Sequence, residues 1–261
     1  MRRLAVLAAF LLLAVPATAA VPPIRLAAHQ ALYRLTLADG RGQVIGAIGT
    51  MGYEVTDACR AWSVRQRLDV TLTNTEGDTT RLVSEYVTTE AKDGLSLRFR
   101  TTQNTDGAIS SRTAGEARLD HAGGPGVADY TQPEVKQVAL PPGTLFPMAH
   151  TAALIRAAEE GRKFFTLPVF DGTDDNGAEL SSIVPLSRSG PTPGRWPALA
   201  TLPSVVVHIA FFGSSPAKML PNYEVGMRYW TNGVADDLHM DFGDFVMSGK
   251  LIGFRPLPSR C

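Results

Sequence analysis

The segment TDACRAWSVRQRLDVTL (residues 56–72) decides the fold class, because most of its apolar residues recur at every second position. One face of an extended chain here carries Trp62, Val64, Leu68, Val70 and Leu72, with Gln66 as the one exception. The other face carries Ser63, Arg65, Arg67, Asp69 and Thr71. A period of two with one apolar face is typical of a half-buried strand in an antiparallel sheet.

The same alternation continues along the chain, where Leu95, Leu97 and Phe99 alternate with polar residues. Residue pairs and triplets that favour tight turns separate the candidate strands: Asp39-Gly40, Glu76-Gly77-Asp78, Asp93-Gly94, Asp106-Gly107, Asn176-Gly177 and Asn232-Gly233. Glycine, asparagine and aspartate tolerate the positive φ angles that hairpin turns require. The sequence therefore predicts a mainly β protein with an antiparallel sheet of roughly a dozen strands.

One segment, LFPMAHTAALIRAAEEGRKF, breaks this pattern. Pro147 suits the first turn of a helix, Met148, Ala152 and Ile155 recur at helical spacing, and Gly161 suits a helix end. Both an antiparallel sheet and an amphipathic helix need an apolar partner. We therefore predict one prominent helix lying on the concave face of a curled sheet, or open half-barrel.

The N-terminus, MRRLAVLAAFLLLAVPATAA, has the three parts of a secretory signal peptide. Arg2 and Arg3 precede an apolar run over residues 4–15 that is too short to span a bilayer. Ala17-Thr18-Ala19 has the small-x-small form that signal peptidase accepts. We predict a signal peptide over residues 1–20 and a mature domain over residues 21–261, delivered to an oxidising compartment such as the periplasm.

The chain has two cysteines, Cys59 and Cys261. In an oxidising compartment they allow one pairing, so we predict a disulfide that holds the C-terminus against the first third of a single closed domain. Chain entropy gives an upper value of roughly 5 kcal/mol for the stabilisation from so long a loop. The alternative is a redox-active pair, but such cysteines usually lie close together in sequence, so a structural role is favoured.

The charge balance excludes some classes of partner. The chain has 25 Lys and Arg against 25 Asp and Glu. Removal of the signal peptide leaves 23 basic residues (25 minus Arg2 and Arg3) and a net charge near −2. Nothing here favours nucleic acid. The longest apolar stretch of the mature chain, LATLPSVVVHIAFFG, contains Pro203 and is too short for a membrane span, so we predict a buried strand.

Candidate chemical groups are few. In DDLHMDFGDF, His239 and Asp241 share one strand face and Asp244 follows, which could form a metal or catalytic cluster. Such residues on an exposed face are more often solvated or paired, so that interpretation is favoured. His29 and His208 lie in apolar strands and are predicted to be hydrogen-bonded core residues.

The turn VFDGTDDNGAEL places oxygens at Asp171, Thr173 and Asp175. Its glycines at 172 and 177 and the lack of a closing glutamate do not match a calcium loop, so a hairpin turn is favoured. We predict no catalytic residue, no metal site and no cofactor.

Five segments occur in an order that resembles the EipB family of cell-envelope integrity proteins: LAAHQALYRLTL, MGYEVTDACRAWSVRQRL, LFPMAHTAALIRAAEEG, VFDGTDDNG and DFGDFVMSGKL with the terminal cysteine. The resemblance covers essentially the whole mature chain. It implies a periplasmic β-spiral with a disulfide at Cys59 and Cys261, a role in the envelope without enzymatic activity, and a tetratricopeptide-repeat protein as partner. The Pro-rich stretch at 187–203 departs from the family pattern.

Two functional hypotheses follow. The first is a non-catalytic protein that binds an envelope partner, using for example exposed sheet edges. The second is a carrier of lipid or lipoprotein with an apolar pocket on the concave face. A hydrolase centred on His239 is the least favoured alternative. Such aromatic and sulfur-containing residues are more often plain core. The candidate pocket residues are Phe164, Phe211, Phe212, Met219, Met227, Tyr229 and Trp230.

Overall fold

The computed structural model describes residues 24–213, 220–259 and Cys261, so the predicted signal peptide lies outside the described residues. The described chain forms fourteen strands and two helices. In chain order the elements are β1 (His29–Gly40), β2 (Val44–Asp57), β3 (Ala61–Asn74), β4 (Thr79–Ala91), β5 (Ser96–Thr105), β6 (Ala108–Leu119), β7 (Gly126–Gln132), β8 (Lys136–Leu140), α1 (Pro147–Glu159), β9 (Phe165–Val169), β10 (Glu179–Ser189), α2 (Pro197–Ala200), β11 (Ser204–Phe212), β12 (Tyr223–Trp230), β13 (Ala235–Asp241) and β14 (Phe245–Pro256). Neither helix has the length and apolarity that a membrane-crossing helix requires.

All fourteen strands belong to one antiparallel sheet in the order β8-β7-β6-β5-β4-β3-β2-β1-β14-β13-β12-β11-β10-β9. The first and last strands, β1 and β14, pair at its centre, so the two ends of the domain meet there. The sheet does not close on itself, because β8 and β9 remain its two edges. This confirms the predicted curled antiparallel sheet and raises the strand count to fourteen.

The alternation in β3 has the predicted effect on burial. Val64 and Val70 are buried, whereas Arg65 and Arg67 are exposed on the opposite face. We call the face that packs on α1 the concave face and the opposite face the convex face. Every second residue of each long strand therefore contributes either to the core or to the outer surface.

Helix α1 has the predicted bounds. Pro147 occupies its first turn, and Gly161 follows its end with φ of 82°. The Gly161 N–H donates to the Ala158 carbonyl and the Arg162 N–H donates to the Ala157 carbonyl, both at 3.0 Å, which is a Schellman motif. The apolar side of α1 packs into the main core cluster, which draws residues from both halves of the sheet.

A second core cluster lies beneath the connection between β9 and β10. The Phe99 ring packs edge-on against Tyr130 and Phe170, with ring centroids 5.4 and 5.3 Å apart. Gly172 in this connection has φ of 73°, and a Cβ there would lie 2.3 Å from Cγ of Phe99. Only glycine therefore permits this close approach.

The disulfide between Cys59 and Cys261 is present and spans 202 residues of sequence. Asp57 lies beside it and accepts hydrogen bonds from the Cys59 N–H at 2.9 Å and from the Ser259 hydroxyl at 3.1 Å. The predicted disulfide is thus confirmed, and it holds the C-terminal residues against the connection between β2 and β3.

The Pro-rich stretch at 187–203 is partly packed rather than a free loop. β10 continues into it as far as Ser189, and α2 places Leu199 in the main core. The Trp196 ring packs edge-on against Phe254 of β14, with centroids 5.9 Å apart. The second half of this stretch therefore covers part of the core.

Candidate functional site

Glu90 and Arg188, one from each half of the sheet, bind the two ends of α1. Glu90 of β4 is buried and accepts the Met148 and Ala149 N–H groups at 2.7 and 2.8 Å. Arg188 of β10 donates to the Ala158 carbonyl at 3.1 Å and to the Glu159 carbonyl at 2.6 Å. An anion at the N-terminus and a cation at the C-terminus both complement the helix dipole. The helix is thereby fixed to both halves of the sheet.

Burial strongly changes the ionisation of Glu90. The loss of hydration raises the pKa of its carboxyl group to about 7, although the two hydrogen bonds from α1 act in the opposite direction. The sequence of β4 does not indicate that a charged residue faces inward, so sequence reasoning did not identify Glu90.

The closest arrangement to a catalytic pair is His150 of α1 with Ser181 of β10. His150 Nε2 lies 2.8 Å from the Ser181 hydroxyl oxygen, and that hydroxyl donates to the Leu167 carbonyl at 2.7 Å. His150 is therefore the donor to Ser181 and not a base for it. Ser181 is 0% exposed, and burial lowers the pKa of His150 to about 4. The pair is a buried hydrogen-bond network that joins α1 to the sheet.

The two predicted core histidines differ. His29 is buried, its Nδ1 lies 2.7 Å from the Ala27 carbonyl, and burial lowers its pKa, as expected of a core residue. The prediction for His208 was wrong about burial. Its side chain is 41% exposed on the convex face and lies 2.6 Å from Glu224. From Val205 to Ile209, β11 buries alternate positions, and His208 occupies one of the outward ones.

The residues of the DDLHMDFGDF motif do not converge. Asp241 accepts from the Arg41 guanidinium at 2.9 Å and from the Gly243 N–H at 2.9 Å, while His239 is exposed two residues earlier on the same strand. Asp244 contributes its carbonyl to the Arg41 N–H at 3.0 Å. Within residues 24–213, 220–259 and 261, no three histidine, cysteine or acidic side chains lie close enough to hold a metal ion.

The acidic turn after β9 is engaged in local contacts. The Asp171 carboxylate accepts from the Thr173 N–H at 2.9 Å and from its hydroxyl at 2.7 Å. Asp175 pairs with Lys136 at 2.5 Å. The Tyr86 hydroxyl donates to the Asp171 carbonyl at 2.9 Å. These contacts fix the turn against the concave side of the N-terminal half of the sheet.

The residues of the candidate apolar pocket do not form one group. Four of them pack against the main core as partly buried side chains: Phe211, Met227, Tyr229 and Trp230. Phe164 precedes β9 and is 63% exposed, and Phe212 follows Phe211 on the strand and so faces the other side. Met219 lies outside the described residues.

A trough crosses the convex face of β14, β1 and β2. Leu32 of β1 lies opposite Gly253 of β14 and opposite Gly52 of β2. Neither glycine has a side chain, so Leu32 is 43% exposed at the floor of an open cavity of about 450 Å³. We call this cavity the convex trough.

Polar groups form one wall of the convex trough. Gln30 lies opposite Glu54 and Arg255. Its amide donates to the Glu54 carboxylate and accepts from the Arg255 guanidinium at 2.7 Å. Arg65 of β3 is the register partner of Glu54. The wall therefore continues over four strands.

The convex trough has an excess of positive charge. Its lining carries three arginines, Arg65, Arg67 and Arg255, and one carboxylate, Glu54. Arg67 pairs with Glu85 and with Asp69. Among the residues that the structure describes, Arg65 and Arg255 form no ion pair. Sequence reasoning missed this site, because its only signal is glycine within strands and the register that aligns Gly52 and Gly253 with Leu32 is not visible in the sequence.

The fold and the trough together define a class: a curled antiparallel sheet that holds a helix on its concave face and has an open cavity on its convex face. The chain belongs to the EipB-like family, whose model matches residues 20–258.

Two relatives agree with this assignment. The chain is 31% identical over 248 residues to the cell envelope integrity protein EipB of Brucella abortus (strain 2308), which covers 90% of this chain and 86% of that protein. The crystal structure of a "beta-barrel-like protein of domain of unknown function DUF1849" from Brucella abortus superposes with a TM-score of 0.83 at 26% identity. It covers 90% of this chain and 100% of that one. The predicted family is therefore confirmed.

Proposed function

We propose that this protein maintains the cell envelope from the periplasm, that it is not an enzyme, and that it acts by binding a protein partner on its convex face. The name of the Brucella abortus relative, a cell envelope integrity protein, supports the envelope role. The signal peptide predicted at residues 1–20 supports the location.

The observation that carries the proposal is the contrast between the two faces of the sheet. On the concave face α1 packs into the core, and the groups that could do acid–base chemistry, Glu90 and His150, are buried and hydrogen-bonded to protein. On the convex face an apolar side chain and two arginines without carboxylate partners line an open cavity. Open, mixed apolar and cationic surface is typical of a recognition site.

The candidate partner is a tetratricopeptide-repeat protein of the periplasm, as the family resemblance implies. We place the contact at the convex trough and not at the β9 edge of the sheet. One edge strand, β9, contains Pro168, which cannot donate a ladder hydrogen bond, and it pairs with Leu145 through a bridge at Val169. This edge is a poor template for an added strand.

The partner-binding proposal and the carrier hypothesis predict different ligand contents for the purified protein, and the partner-binding proposal predicts no bound lipid. We expect a native mass spectrum of protein isolated from the periplasm to give the mass of the mature chain over residues 21–261, two hydrogens below the reduced value because of the disulfide. Organic extraction should release no stoichiometric lipid. The reason is that the aromatic and methionine side chains of the concave face pack against the core.

An acyl species bound near one to one would overturn the partner-binding proposal and make this protein a carrier. A matched pair of variants then locates the acyl chain. Met227→Gln alters the concave face, and Ile48→Gln alters an exposed convex position on β2. A carrier loses its lipid in the first variant and keeps it in the second.

A further inference from the structure

We infer that the convex trough recognises a short protein segment in which an apolar side chain is flanked on both sides by carboxylates, two residues away in each direction. This inference rests on the proposed partner-binding function and names the chemistry of the partner. The occupant lies across the strands of the sheet instead of extending it at an edge.

The floor of the trough requires an apolar group. Leu32 is exposed between two glycines, and a Cβ at Gly52 would have nothing within 4 Å, so the space above the floor is open. The Gly253 backbone lies beside Leu32 on the other side. A branched or aromatic side chain seated there covers Leu32 and both glycine backbones, which removes apolar surface from water.

The polar wall of the trough requires anions. Arg65 and Arg255 have no ion pair in the described part of the chain, and Arg255 is hydrogen-bonded to the neutral Gln30. The single carboxylate, Glu54, already accepts from Gln30. A guanidinium presents a planar fork of N–H donors that matches a carboxylate. Arg65 and Arg255 can therefore each receive a carboxylate from the occupant.

The spacing of these groups sets the spacing of the segment. Arg255 lies on β14, one strand from Leu32, and Arg65 lies on β3, two strands away in the other direction. Both are level with Gln30, two residues along the strands from the row of Leu32. Neighbouring strands are about 4.8 Å apart, and residues two apart in an extended peptide are about 7 Å apart on one side. The long arginine side chains span the remaining distance between their own strands and the carboxylates of the segment. The pattern is therefore acidic-x-apolar-x-acidic.

A third cation without an ion pair among the described residues, Arg34, extends the site along β1. Arg34 lies two residues beyond Leu32 on the same face, opposite Thr50 and Lys250. Lys250 is bound to Asp237, whereas Arg34 forms no ion pair with any described residue. The positive field of the trough therefore continues on the side away from Gln30 and favours anionic over neutral occupants.

The test uses the mature chain and a fluorescein-labelled peptide, Ser-Glu-Ser-Leu-Ser-Glu-Ser, whose binding is followed by fluorescence anisotropy. We expect saturable binding that weakens as salt rises. Replacing both glutamates by glutamine, or the leucine by serine, is expected to weaken binding by roughly tenfold or more, since the first change removes both arginine contacts and the second removes the floor contact.

Two variants and two matched controls assign the binding to the trough. Gly52→Phe fills the cavity at a position without positive φ or close neighbours, so the fold is preserved, and Arg65→Glu reverses one charge. Both are expected to abolish binding. Ile48→Phe on the same face of β2 and Arg100→Glu on β5 add the same bulk or charge outside the trough and should leave binding unchanged.

Three results would overturn the inference. The glutamine peptide binds as tightly as the glutamate peptide, Gly52→Phe binds the peptide as tightly as the unaltered chain does, or vesicles with anionic lipid bind the protein while the peptide does not. The last result assigns the trough to a lipid headgroup. A different result is that the peptide does not bind while Gly52→Phe still does not rescue an envelope defect in the host strain. In that case the inferred chemistry of the segment is wrong and the partner-binding proposal stands.

Discussion

Replacing Cys59 and Cys261 together by serine is expected to lower the free energy of unfolding by about 3 to 5 kcal/mol, because the disulfide closes a loop of 202 residues. The bridge restricts the unfolded chain more than the folded one. In the folded state β1 and β14 already pair at the centre of the sheet. The variant should therefore reach the same fold with a lower denaturant midpoint.

Chemical denaturation with and without a reducing agent measures this effect. Reduction should move the midpoint of the unaltered protein to that of the double-serine variant, and it should not move the variant. Circular dichroism before denaturation shows whether the sheet is retained. A midpoint that is the same with and without the bridge would contradict the stabilising role of the disulfide.

The second large effect concerns Glu90. Its carboxyl group has a pKa of about 7 in the folded protein against an ordinary value of 4.5, so the folded state binds more protons between these values. Stability from this group is present below about pH 4.5 and is lost as the pH rises to about 7. The shift corresponds to about 3 kcal/mol. Glu90→Gln removes this loss, so it should gain stability relative to the unaltered protein as the pH rises.

The comparison must be made as a difference between two proteins, because other buried groups titrate in the same range. His150 has its pKa lowered to about 4, so it contributes stability that rises with pH between about 4 and 6.5, opposite in sign to Glu90. Burial also lowers the pKa of His29 and raises that of Asp171. The stability that His29 contributes therefore rises with pH, and the stability that Asp171 contributes falls.

Denaturation of the unaltered protein and of Glu90→Gln at pH 4.5 and pH 8 gives the required difference. The matched control is Glu76→Gln, an exposed position in the turn before β4 that forms no ion pair with any described residue. Its difference from the unaltered protein should be nearly constant over this range. Parallel pH profiles for Glu90→Gln and the unaltered protein would show that Glu90 is not ionising in a buried site.

The strands, the helix and the disulfide followed from the sequence because each depends on local or countable features. Alternation in β3 requires only the period of an extended chain, and the end of α1 requires only glycine at position 161. The two cysteines allow one pairing. These features do not depend on which distant strand becomes a neighbour.

The convex trough depended on long-range register and was therefore not predicted. Leu32 meets Gly253 and Gly52 because β1 pairs with β14 on one side and with β2 on the other, and a bulge between Leu32 and Tyr33 shifts the pairing with β14. A register change by one residue would place other side chains on each face. No local pattern carries that information.

The inward position of Glu90 was hidden for a related reason. A carboxylate in a strand normally indicates the solvent face. Burial of Glu90 is tolerable because α1 packs on this face and donates two N–H groups to its carboxylate. For His208 the error was the opposite one. The apolar run predicts burial on both faces, whereas β11 buries alternate residues from Val205 to Ile209.

The central claim, that the convex trough holds an envelope partner, is tested most directly by rescue of an envelope defect in the native host. A strain that lacks the gene is complemented with the unaltered chain, with Gly52→Phe, or with Ile48→Phe, and growth is measured in the presence of detergent. We predict that Gly52→Phe reaches the same level and melting temperature as the unaltered protein but fails to restore growth, while Ile48→Phe restores it. Full rescue by a folded Gly52→Phe protein would contradict the claim and exclude the trough as the functional surface.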